Sequence, residues 1–69
     1  MKKLLCKIMR ETPGYETPNI FYQVYDGFDV VASGVSSSQD WVKKDAGGYH
    51  TKEKFDKLYP EGWEVEFDF

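Results

Sequence analysis

His50 is the only imidazole in the chain, set in the loop Gly47-Gly48-Tyr49-His50-Thr51, with Asp45 near it in sequence and Asp26 as a second carboxylate able to orient it. A histidine so placed could move a proton in general acid-base work. No spacing in the sequence supports that role, and a lone loop histidine beside a helix start is expected to be an exposed polar residue. Cys6 is the only thiol. Flanked by Leu4, Leu5 and Ile8, it reads as a small buried apolar group, not a nucleophile, and a single cysteine makes no intramolecular disulfide. Cys6 and His50 together would leave a structural zinc two ligands short.

Glu64, Glu66 and Asp68 are the other residues whose chemistry stands out. They alternate with Trp63, Val65, Phe67 and Phe69, so a strand there carries the carboxylates on one face and the hydrophobes on the other. Same-face neighbours on a strand lie about 6.6 to 7 Å apart, too wide for one ion without ligands from other elements. Ser36-Ser37-Ser38 could accept a phosphate, but no glycine-rich loop surrounds it, and helix capping is the simpler reading. Phosphate loops, dinucleotide fingerprints, HExxH and CxxC are all missing. The expectation is therefore no catalytic residue, no metal and no cofactor.

Charge narrows the partners. The chain has 69 residues and a formal charge of −3, with Lys2, Lys3, Lys7 and Arg10 near its start and Glu61, Glu64, Glu66 and Asp68 near its end. Phosphate backbones are not attracted to such a surface overall. Stacking of nucleic-acid bases on a sheet needs aromatics with basic residues beside them. Residues 20–28 supply the aromatics and no Lys or Arg, so direct nucleic-acid binding is not expected. The acidic end suits a different idea, a surface that blocks the basic site of a nucleic-acid-binding protein, as small inhibitors of phage or mobile-element type can do.

These residues must be positioned by a small number of elements. Residues 3–10 read as a strand with Leu4, Cys6 and Ile8 on one side and Lys3, Leu5, Lys7 and Met9 on the other. Lys7 and Arg10 interrupt what would otherwise resemble a secretion signal, and no run approaches the ~18 apolar residues of a membrane span, so a cytoplasmic protein is expected. Two prolines and a glycine make 11–19 a loop, with Tyr15 at its tip. Asp26-Gly27 predicts a two-residue type I′ turn between strands 20–25 and 28–33, with Tyr25 facing Phe28, Gln23 facing Val30 and Phe21 facing Ala32. Ser37 would cap a helix carrying Trp41, Val42 and Ala46, and Thr51 a second helix to about Tyr59 carrying Phe55 and Leu58. The last strand follows.

The order β-β-β-α-α-β predicts one α+β domain, a two-layer sandwich with an antiparallel sheet in order 3-2-1-4 and two short helices on one face. The final strand is expected antiparallel beside the first. The expected core is Leu4, Cys6, Ile8, Val31, Trp41, Val42, Phe55, Leu58, Tyr59, Trp63, Val65 and Phe67. Both faces of the hairpin are apolar, yet so short a chain can cover only one, and the other would expose aromatics for contact. Function is then expected to be protein binding, or self-association, through Phe21, Tyr25 and Phe28 with Tyr15 from the loop. The acidic face Glu64, Glu66 and Asp68 is the alternative, and a small-molecule binder or enzyme is third.

Overall fold

A computed structural model describes all 69 residues. Strands β1 (Lys2–Thr12), β2 (Asn19–Asp26) and β3 (Asp29–Ser36) precede α1 (Gln39–Lys44), a π-helical turn (Asp45–Tyr49), α2 (Lys52–Leu58) and β4 (Trp63–Phe67). The sheet order is β3-β2-β1-β4, with both helices on one face, the expected α+β arrangement. No helix is long and apolar enough to cross a membrane.

The direction of β4 is a correction. It pairs with β1 in parallel, Leu4 beside Val65 and Cys6 beside Phe67, so the sheet is mixed. The cause lies in the path. β3 runs the same way as β1, and the helical segment carries the chain back to the end where β1 starts. There Lys2 N–H donates to the Gly62 carbonyl (3.1 Å). Two strands that start side by side at one end must run together, and a crossover of this length is what a parallel pair requires.

The hairpin also differs. Its turn is Gly27-Phe28, not Asp26-Gly27, and Asp26 faces Asp29, Tyr25 faces Val30 and Phe21 faces Val35. Gly27 has φ +62° and no other residue than glycine has positive φ. Positive φ at the first central residue alone is the type II′ requirement, which one glycine meets. A bulge at Val31 and the added pairs out to Ser36 absorb the shift.

Alternation decides which face is inside. Leu4 and Cys6 on β1 and Ile20, Tyr22 and Val24 on β2 are buried, with Val42, Ala46 and Phe55 closing over them from the helical layer. Trp63 packs edge-on against Phe55 at 5.0 Å between ring centres. Ile8, Val31, Tyr59, Val65 and Phe67 pack around this centre, partly buried. Trp41 and Leu58, expected inside, are about half exposed, because the six-residue α1 and seven-residue α2 each turn one strong apolar position inward, Val42 and Phe55. Removing the Phe55 ring would cost about 3–5 kcal/mol, a large share of what a chain this short can hold.

The helix ends show which caps are real. Ser38, not Ser37, caps α1, its Oγ accepting from the Trp41 N–H at 3.1 Å. Thr51 makes no side-chain cap; its hydroxyl donates instead to the Ala46 carbonyl (3.0 Å), tying α2 to the π-helical turn. Gly48, at φ +151°, supplies the kink that lets the backbone leave that turn.

Candidate interaction face and the Asp45 cluster

The face of the sheet away from the helices is open, and four strands give it four distinct columns. β4 presents Glu64, Glu66 and Asp68, all exposed. β1 presents Lys3, Leu5 and Lys7, and β2 presents Phe21, Gln23 and Tyr25 opposite Arg10, Lys7 and Leu5. β3 adds Val30, Ser33 and Val35. The carboxylates and lysines are not independent: Lys3 Nζ lies 3.9 Å from Glu64 and 3.7 Å from Glu66. Both pairs are exposed and contribute little to stability.

Two shallow hollows interrupt the columns. One, of about 280 Å³, is walled by Leu5, Lys7, Tyr25 and Phe28. Tyr25 is held there by its hydroxyl, which donates to Gln23 Oε1 at 2.5 Å. The other, of about 290 Å³, lies among Met9, Phe21, Gln23, Ser33 and Val35. Phe21, Tyr25 and Phe28 therefore share the open face, as their types suggested, but at its two ends. Phe28 is fully exposed on the turn. Tyr15 is fully exposed at its loop tip and lines neither hollow. Leu5 and Met9 also belong to this surface, on the side where alternation set them, and so do Arg10 and Val35, which no pattern placed there.

On the helical side, Asp45 is buried between two partners. The Ser36 hydroxyl donates to its Oδ2 in a short hydrogen bond, and His50 Nε2 lies 3.4 Å from its Oδ1. The carboxylate thus stands in the middle. A hydroxyl activated for attack would need the imidazole between it and the acid, so that the stronger base takes its proton. Here the serine hydroxyl donates directly to a carboxylate, a hydrogen bond that satisfies two buried groups and anchors the π-helical turn to the end of β3. His50 remains largely exposed. Asp45 also raises the Tyr22 phenol above its ordinary range, second to burial itself.

Cys6 is fully buried, and burial, helped by the Asp68 carboxylate, pushes its thiol up to about 11. Such a thiol is protonated at neutral pH and is a poor nucleophile. No group of three or more His, Cys, Asp or Glu side chains converges as a metal site would need. Asp26, the other carboxylate considered for His50, serves elsewhere: it receives Lys2 Nζ at 2.7 Å and the Tyr59 hydroxyl at 2.9 Å. Comparison with protein-family models, curated proteins and solved structures gives no match to this chain.

Proposed function

We propose that this chain is a non-enzymatic protein-interaction module whose working surface is the open face of the sheet. The observation that carries the reading is the asymmetry of the two faces. One is closed by Val42, Ala46 and Phe55, while the other leaves Tyr25, Phe28, Met9 and Val35 accessible around two hollows. Rigid aromatic rings held on a sheet supply contact area at small entropic cost, as at interaction hot spots.

The column layout favours a different protein over a second copy. Two open faces stacked with aromatics on aromatics and strands antiparallel would set β1 lysines over β1 lysines and β4 carboxylates over β4 carboxylates, and like charges brought together oppose association. Self-association is still a measurable outcome. A second reading, inhibition by acidic mimicry, draws on Glu64, Glu66 and Asp68 standing in one exposed column. Lys3 lies between the first two and neutralises part of that column.

The test is affinity capture followed by measured affinities for wild type, Tyr25→Ala, Phe28→Ala and the triple Glu64→Gln, Glu66→Gln, Asp68→Asn variant. The open-face reading expects the aromatic variants to lose binding by more than their stability changes account for. Acidic mimicry expects loss in the triple variant and steep weakening with salt. Aromatic variants that bind as wild type would refute the open-face reading.

A further inference from the structure

We propose that the Arg10 end of the open face reads a carboxylate, and that the partner offers there a peptide segment in which an Asp or Glu lies close to one bulky apolar side chain. The inference rests on the open face being the binding surface and names the chemistry it selects. Its first support is a backbone irregularity. Leu4, Cys6 and Ile8 face the helices, and unbroken alternation would send Arg10 the same way. A bulge between Ile8 and Arg10 instead sets Arg10 opposite Phe21, on the open side; bulges commonly re-aim a side chain in this manner.

The second support is the guanidinium itself. It lies over the Phe21 ring, its central carbon 4.5 Å from the ring centre. Stacking restricts the planar fork while Arg10 stays exposed, and a guanidinium is matched in shape to a bidentate carboxylate. The chain carries 12 acidic residues against 9 basic ones, and Lys2, Lys3, Lys52 and Lys57 each have a carboxylate within 4.0 Å. Arg10 has none, and neither has Lys7, the next cation along the column; the other cations without one, Lys43, Lys44 and Lys54, lie in the helical layer. Glu11 pairs with Ile20 and falls on the opposite face.

Geometry beside Arg10 completes the site. The hollow among Met9, Phe21, Gln23, Ser33 and Val35 opens next to the stack and is sized for one large apolar side chain. β4 pairs only as far as Cys6, so the acidic column ends before Arg10, and an incoming carboxylate meets cations there without passing like charges. A nucleic-acid strand fits less well. Its bases would find the Phe21 ring already covered, and its phosphates would run along Glu64, Glu66 and Asp68.

Selection of short random peptides on the immobilised protein tests this, followed by fluorescence anisotropy of an enriched peptide with wild type, Arg10→Met, Arg10→Lys and Tyr25→Ala. Enriched peptides should place Asp or Glu within a few residues of Leu, Ile, Phe or Trp. Arg10→Met should weaken binding roughly tenfold or more, as loss of a charge-assisted hydrogen-bonded pair does, and Arg10→Lys by less. Peptides lacking an acid, competition by an oligothymidine strand, or an unaltered Arg10→Met would overturn the proposal. Loss in Tyr25→Ala with Arg10→Met unchanged would remove the carboxylate site and leave the open face standing. Occupancy of the face by a second copy, with light scattering giving a dimer that Tyr25→Ala dissociates, would overturn the carboxylate site and leave the open face standing; peptides that bind both variants like wild type, or no enrichment at all, would remove both.

Discussion

Tyr59, just past α2, donates its hydroxyl to Asp26 at the end of β2, 2.9 Å away, and Lys2 Nζ reaches the same carboxylate at 2.7 Å. Three segments distant in sequence are pinned at one corner of the sheet, on the helical side and away from the open face. The hydrogen bond from Lys2, with help from Tyr59, holds the Asp26 carboxyl below its ordinary value of 3.8. Burial, then the bond to Asp26, pushes the Tyr59 phenol up to about 12.

These shifts set a pH dependence at both ends. The depressed Asp26 contributes stability above pH 3.8 that is lost as pH falls through its lower folded value. The raised Tyr59 contributes stability that is complete below pH 10 and is lost between about 10 and about 12. Thermal melts of wild type and Tyr59→Phe across the alkaline range should converge as pH rises. Parallel curves would mean that folding does not raise the Tyr59 phenol.

Gly34 has no room for a side chain. A Cβ there would lie 2.5 Å from the Tyr22 hydroxyl and 2.7 Å from its ring carbon, and Tyr22 is buried. Gly34→Ala should therefore cost about 1–3 kcal/mol by overpacking, and Tyr22→Leu should recover part of that loss in the double variant. Urea denaturation measures both. A neutral Gly34→Ala would mean that the Tyr22 ring is free to move aside.

Much of this framework was legible from residue patterns. The unbroken alternation from Trp63 to Phe69 marked β4 and its two faces, and its place beside β1 was expected from the order of elements. Strand direction was misjudged because alternation is identical in parallel and antiparallel pairs; only the path of the helical return distinguishes them. The Asp26-Gly27 dipeptide indicated the hairpin but not its turn, since one glycine serves type I′ and type II′ alike. Arg10 read only as one of the charges near the start of the chain, and its place on the open face went unseen because bulges leave no composition signal. Of the two carboxylates considered for His50, Asp45 is the one beside it and Asp26 is not, whereas Ser36, which gives the carboxylate its structural role, read as part of a capping run.

The Asp45 cluster should behave as a fastener. Ser36→Ala leaves a buried carboxylate short of a donor and should destabilise the protein by about 1–3 kcal/mol. His50→Ala, at a largely exposed side chain beside Asp45, should change stability by less than about 0.5 kcal/mol. Chemical denaturation of the two variants gives the comparison. Equal losses would assign His50 a burial that its exposure does not suggest.

Phe28 and Tyr25 separate binding from folding. Phe28 stands fully exposed on the turn, so Phe28→Ala should leave the melting temperature within about the noise expected of surface changes. Tyr25 gives up one hydrogen bond to Gln23, and Tyr25→Ala should lower stability by about 1 kcal/mol. Partner affinity should fall in both variants by more than these stability changes. A collapse of stability in both would place the two rings in the core.

The most direct test is backbone NMR of the isotope-labelled protein titrated with a captured partner or an enriched peptide. Shift changes should concentrate at Leu5, Lys7, Met9, Arg10, Phe21, Gln23, Tyr25 and Phe28 and spare α1 and α2. Changes centred on α1, α2 or the Asp45 and His50 region, with the open face unmoved, would contradict the assignment of the sheet surface as the place where this protein works.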